Sequence, residues 1–474
     1  VSELDRLVYS CMLPGVTGTA LPPWVRRGLE AGFPGVTIFP GPHLRDPATI
    51  SDLAAAVHEH DPHMLVSLDE EGGDVTRLEY GAGSSYPGNL ALGVVDDPAL
   101  TRRVALAMAG DLLAHGVNYN LAPSVDVNSD PGNPVIGVRS FGARPDLVAV
   151  HGAAFIDAMQ EAGVAAAAKH FPGHGDTTAD PHHSLPVVTC PAGTLRRREL
   201  TPFAAAAAAA SVMIAHVVYS ALDPKQPATL SRRALREVLR DELGYRGVAL
   251  STAVAIEAGN GPEQAVAAAV TTLAAGADLV LLGPGVDEEL YTRIHAAVAG
   301  AIEHGVLAIE ESAERVGLMR RRYAVRAAAV AADPGPVGGE AARRAVRGHG
   351  AVVLPGPAAV AEVRAEAHSI VGEAAWSMAE ALDARSLLGR AEQIHGPADP
   401  LPPAGGPLVI VVRDAYRIPW MREWTLKALA DRPGAILVAI GMPDDAGLTS
   451  GACITTFGAG RVNLQAAADL LAGP

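Results

Sequence analysis

The sequence is poor in cysteine: Cys11, Cys190 and Cys453 are the only three in 474 residues. Three scattered thiols are too few for a disulfide framework or a cysteine-based zinc site. The chain also lacks a basic run. Lysine and arginine total 37 against 52 acidic residues, a formal net charge of −15. That balance argues against a nucleic-acid partner, because phosphate contact needs clustered Lys and Arg. No stretch is strongly apolar for long enough to cross a bilayer. The longest, Phe203–Val218, is mostly alanine and contains Ser211 and His216; a membrane helix needs about 20 strongly apolar residues, so a buried helix running into a buried strand fits better. No signal-like segment follows Val1, which leaves the compartment open: cytoplasmic, or secreted or anchored where a leader has been removed.

What is present is a repeating pattern. Short β-rich runs at Gly35–Phe39, Met64–Leu68, Val117–Leu121, Val164–Lys169, Val212–His216, Gly247–Ser251 and Asp278–Leu282 alternate with helical stretches such as Ile50–His58, Pro98–Ala114, Asp146–Glu161 and Ala265–Ala275. Near-continuous apolar strands separated by helices are the mark of a parallel sheet covered by helices. Over residues 1–332 this predicts an α/β fold of the (β/α)8 TIM type. The Pro/Gly-rich stretch from Asp333 predicts a linker over 333–349, and apolar runs at Ala351–Leu354, Leu408–Val412 and Ala435–Gly441 predict a smaller C-terminal α/β sandwich domain over 350–474. The alanine run Ala204–Ala210 is expected to be a core helix.

In such barrels the strand C-terminal ends form the active face. Polar residues fall at those ends here: Asp69, Asp126, Lys169 with His170, His216, and Ser251 with Thr252. The densest chemistry lies in Lys169–Pro186, which holds four histidines, two aspartates and a lysine in a loop stiffened by Pro and Gly. Lys169 and His170 offer a cation pair, and Asp180 with His182 a possible Asp–His dyad. A carboxylate on one imidazole nitrogen fixes the tautomer and raises the basicity of the other, as a general acid/base requires. Metal binding is the rival reading, but the spacing matches neither HExxH nor a CxxC/HxxxH pattern. No metal or cofactor is expected.

The segment KHFPGHGDT (Lys169–Thr177), followed by D-x-H and LP, resembles the signature of glycoside hydrolase family 3 in its bacterial β-N-acetylhexosaminidase branch. DEEGGDVTR (Asp69–Arg77) is similar to that family's D-Q-E-G-G-R-V-x-R segment. NLAPSVDV (Asn120–Val127), PVIGVRSFG (Pro134–Gly142), MIAHV (Met213–Val217) and PATLS (Pro227–Ser231) follow in the family's order. The resemblance implies hydrolysis of terminal β-linked N-acetylglucosamine, and a small sugar or glycoside as the partner. It implies that Asp69, Arg77, Arg139, Lys169, His170 and His216 bind the sugar, and that Asp180 orients His182 as the acid/base. No Trp falls in these segments and only Phe141 and Phe171 do, so recognition is expected to rest on charged hydrogen-bonding groups. Asp74 stands where the family has Arg, a reversed charge beside the site.

One departure dominates. A retaining glycosidase needs a nucleophilic carboxylate opposite the acid. The resemblance places it one residue after Ser251, in GVALSTAVAI (Gly247–Ile256), and that position holds Thr252. A threonine hydroxyl is a poor nucleophile without an adjacent base and brings no negative charge to an oxocarbenium-like transition state. Glu257 is expected to begin the next helix or loop, and Glu70 and Glu71 to serve no nucleophilic role. Ordinary retaining hydrolysis is therefore expected to be weak or lost. The alternative is a catalytically inactive sugar-binding pseudo-glycosidase.

Overall fold

A computed structural model describes residues 1–177, 185–325, 335–365, 375–403 and 405–473. Eight strands close into a parallel barrel: β1 Met12–Val16, β2 Gly35–Ile38, β3 Leu65–Leu68, β4 Tyr119–Asn120, β5 Ala165–Phe171, β6 Ser211–Ile214, β7 Val248–Ser251 and β8 Leu279–Gly283. Each strand pairs with its neighbours in chain order, and β1 meets β8. The barrel is filled by one layered cluster that includes Leu13, Leu65, Tyr119, Ala165, Met213, Leu250 and Leu281. A second cluster joins the strands' outer faces to the helices around them. Burial on both faces explains why the strands read as unbroken apolar runs. At β2 the contact is so close that a Cβ on Gly35 would lie 1.8 Å from the Leu65 carbonyl oxygen, so only glycine fits.

A second sheet has six strands, in the order Arg347–His349, Cys453–Thr455, Ile436–Ala439, Leu408–Val412, Ala358–Val363 and Leu388–Ile394. All its pairs are parallel except the first. Along Leu408–Val412 the side chains alternate between two apolar clusters: Val409 and Val411 pack with Leu382, Leu464 and Leu471, while Ile410 and Val412 pack with Met421 and Trp424. Helices therefore cover both faces. Among the described residues no helix is long and apolar enough to cross a membrane.

Three expectations need correction. The stretch 333–349 is not simply a linker, for it contains the helix Gly335–Ala345 and the strand Arg347–His349. That helix buries Ala341, Ala342 and Ala345, and its Gly338 is there for close approach, since a Cβ would lie 1.8 Å from the Ser85 carbonyl oxygen. Ala351–Leu354 forms no strand; the Leu354 N–H donates to the Leu471 carbonyl instead of to a ladder. In the alanine run the helix ends at Ala205, and only Ala206 and Ala209 are buried. Alanine favours a helix, but Ala204, Ala205, Ala207 and Ala208 are exposed, and Gln160 takes up the Ala208 carbonyl and the Ala210 N–H.

Candidate functional site

Asp69 directly follows β3, and the loop it opens doubles back through a bridge between Gly72 and Val75. Glu70 anchors that loop. Its buried carboxylate accepts from the Thr76 hydroxyl at 3.1 Å and from the N–H groups of Arg77 and Leu78 at 2.8 and 3.1 Å. Burial pushes its pKa up to about 7 despite those donors. With the loop fixed, Asp69, Glu71 and Arg77 meet Arg139 and Lys169. The Lys169 ammonium lies 2.7 Å from Asp69 and 2.6 Å from Glu71. The Arg139 guanidinium grips both oxygens of Glu71 at 2.9 and 2.8 Å, and Arg77 stands 3.8 Å from Asp69.

Exposure separates the roles. The side chains of Arg77, Arg139, Lys169 and Glu71 are at most 4% exposed, whereas Asp69 is 23% exposed. Asp69 is thus the most exposed of the five, held by Lys169 and Arg77, while Arg139 and Lys169 hold Glu71 behind it. Burial opposes the Asp69 charge, but Lys169 and Arg77 outweigh burial and keep the carboxyl below its ordinary range. Glu71 follows the same logic: burial opposes its charge, and Arg139 and Lys169 hold its carboxyl well below the ordinary range.

A second arrangement sits across β4 and β5. Asp126 is fully buried and accepts from the N–H groups of His170 and His174 at 3.1 and 2.7 Å and from Ser124 Oγ at 3.0 Å. Its Oδ2 lies 2.7 Å from His170 Nδ1. Burial opposes the charge here too, yet His170 wins and Asp126 is held at about 2. An ionised Asp126 makes Nδ1 the protonated nitrogen, while burial lowers the His170 pKa; the ring is then neutral at pH 7, with Nε2 unprotonated. Asp126→Asn should lower the His170 pKa further, since the Asp126 charge works against burial there, readable by NMR titration of the imidazole. An unchanged midpoint would show that the Asp126 charge does not govern the ring. The loop runs close beside this pair, since a Cβ on Gly175 would lie 1.8 Å from the Val127 carbonyl oxygen.

His216 follows β6, buried, with Nδ1 at 2.7 Å from Thr229 Oγ1. Thr252 follows β7, and its hydroxyl donates to the Ile214 carbonyl at 3.5 Å. The helix Ala253–Glu257 comes next. Here the structure departs from expectation: Glu257 ends that helix, with Oε1 at 3.3 Å from His216 Nε2.

The structure thus gathers Asp69, Arg77, Arg139 and Lys169 into one lattice and pairs His170 with Asp126. Asp180 and His182 lie outside the described residues. The central place of Glu71 and the Asp126–His170 pair were missed from sequence. The signal for the pair was available, because the segment after β4 and the end of β5 both carry polar residues, and a bridge between Ser124 and Lys169 joins them. Phe141 and Phe171 are buried and offer no ring face.

Beside this lattice a cleft of about 710 Å³ opens between the barrel loops and the second sheet, lined by residues that include Asp74, Arg139, Trp376 and Arg413. The reversed charge at Asp74 has its partner here: Arg413 reaches across from the second sheet to 2.7 Å. The Ala459 N–H donates to the same carboxylate at 2.7 Å.

A model of the glycosyl hydrolase family 3 N-terminal domain matches residues 29–319. The chain belongs to glycosyl hydrolase family 3. Among curated relatives, β-hexosaminidase A of Pseudoalteromonas piscicida is 32% identical over 356 residues, 69% of this chain but 60% of that protein's own length. A β-hexosaminidase of Stenotrophomonas maltophilia (strain K279a) is 36% identical over 313 residues, 62% of this chain and 92% of the relative. The solved structure of a glycoside hydrolase family 3 β-N-acetylglucosaminidase from Paenibacillus sp. str. FPU-7 superposes with a TM-score of 0.88 at 30% identity, covering 100% of this chain and 97% of that one. The family's barrel and this chain's closed eight-stranded barrel agree.

Proposed function

We propose that this protein binds the terminal N-acetylglucosamine of a β-glycoside in the manner of the family's β-N-acetylhexosaminidases. The observation that carries the reading is the Asp69 carboxylate, partly exposed at the edge of a buried lattice of Lys169, Arg77, Arg139 and Glu71. Such a carboxylate, ionised and unable to swing, suits a pair of sugar hydroxyls, which donate to it. His170 and His216 complete the binding set, and Asp180 with His182 would supply the acid. At the strand end where the family's nucleophile is expected stands Thr252, whose hydroxyl is engaged by a carbonyl and not by a base. Ordinary retaining hydrolysis through that position is therefore weak or absent. The same threonine favours a second reading, a sugar-binding protein without turnover.

Calorimetry with N-acetylglucosamine tests the binding claim. Asp69→Asn should weaken binding about 10- to 100-fold, the usual loss when a charged hydrogen-bond partner is neutralised. Binding untouched by that change would place the sugar elsewhere, and a protein that neither binds N-acetylglucosamine nor cleaves an aryl β-N-acetylglucosaminide would refute the assignment.

A further inference from the structure

We propose that Glu257 is the carboxylate this protein sets against the anomeric carbon, in place of the strand-end acid that Thr252 replaces; the inference rests on the sugar-hydrolase reading above.

Three elements converge at one side of the barrel mouth. Ser251 of β7 lies in register with Ile214 of β6, so Thr252 and the Ala215–His216 segment are neighbours where the two strands end. The helix Ala253–Glu257 starts immediately after Thr252. It is pinned there: Val254 is fully buried, and Ala255 packs so tightly on the end of β8 that a Cβ on Gly283 would meet its Cβ at 2.7 Å. Side chains on a helix lean toward its N-terminus and cover the preceding turn. A glutamate at the fifth position of this helix therefore points back toward the strand end. The observed contact agrees, with Oε1 at 3.3 Å from His216 Nε2. Asn260 Nδ2 donates to Oε2 at 2.7 Å and fixes the carboxylate plane. The side chain is 19% exposed, sheltered yet reachable.

In the proposed step a Glu257 oxygen attacks C1 of the glycoside. The C1–oxygen bond to the leaving group breaks, its electron pair passing to that oxygen, which takes a proton from the acid. Water then attacks C1 and gives its proton to the acid's conjugate base, and the C1–Glu257 bond breaks to release the free sugar and the carboxylate.

The experiment uses the full chain and an aryl β-N-acetylglucosaminide. The unmodified protein should turn it over slowly, and Glu257→Gln should lower kcat by about 100-fold or more, while the calorimetric Kd for N-acetylglucosamine stays within about threefold. In Glu257→Ala, azide should restore turnover and yield the α-configured glycosyl azide. Should either variant misfold, a fluorinated N-acetylglucosaminyl fluoride that slows the second step should label unmodified protein on the peptide bearing Glu257. Turnover retained in Glu257→Gln, or a label on another residue, overturns the proposal. So does absence of turnover in the unmodified protein. N-Acetylglucosamine binding then tells the two failures apart: if it persists, the sugar-site reading stands without Glu257, and if it is lost, both fall.

Discussion

Thr252→Asp is expected to raise the hydrolysis of an aryl β-N-acetylglucosaminide by about 100-fold or more, the scale of a well-placed electrostatic group at a developing charge. The rest of the proposed machinery is independent of residue 252. Asp69 is locked by Lys169 and Arg77, and Glu71 by Arg139 and Lys169, without help from β7. Position 252 lies directly after β7, and its present hydroxyl makes one long contact with the Ile214 carbonyl, so an aspartate sacrifices little there. The new carboxylate would stand near Glu257 and His216. Two carboxylates that share a small space raise each other's pKa, so the gain should be larger in Thr252→Asp/Glu257→Gln than the single changes would add up to. Rates at pH 5 to 8 for the four proteins measure this. If Thr252→Asp leaves turnover at the starting level while N-acetylglucosamine still binds, the deficit lies elsewhere than at the strand end.

The barrel was legible because its strands are buried on both faces, and such strands appear as short apolar runs between helices. The strand that escaped was β1, MLPGV, because Pro14 and Gly15 break the pattern. There a Cβ on Gly15 would lie 2.7 Å from the Gly283 backbone, so the glycine serves closure of the barrel against β8. The helix Gly335–Ala345 was hidden for the same reason, since a glycine needed for packing looks like a linker residue in sequence. At the site, the positions of Asp69 and Thr252 directly after β3 and β7, and of Lys169 late in β5, were legible, because a barrel delivers the ends of its strands to one face. Which acid meets which base was not. Arg139 and Glu71 are far apart in the chain and adjacent only in space. Glu257 was misplaced because a sequence shows that a helix starts, but not that its last side chain leans back over its beginning.

Arg139→Met should destabilise the fold by roughly 3–5 kcal/mol, the usual result of removing one partner from a buried ion pair. Arg139 is 5% exposed, grips both oxygens of Glu71, and also donates to the Val135 carbonyl at 3.0 Å. Without it Glu71 retains, among the described residues, only the Lys169 ammonium, which it shares with Asp69. The pH dependence follows in sign. Burial works against the Glu71 charge, and Arg139 with Lys169 overcomes it, so the folded pKa lies below the unfolded one. The stability this contributes is therefore fully present above the unfolded carboxylate pKa of about 4.3 and is lost as pH falls toward the folded value. Urea unfolding should show the full deficit of Arg139→Met at pH 7 and a smaller one at pH 4, where the depressed carboxyl confers less advantage. Glu71→Gln/Arg139→Met should be more stable at pH 7 than Arg139→Met alone, because no buried charge is left with half its partners. A deficit under about 1 kcal/mol, or one that grows on acidification, would mean that Glu71 takes its charge support from Lys169 alone. Asp69 would then compete with Glu71 for a single ammonium, and its fixed orientation would have to come from Arg77, which stands 3.8 Å away.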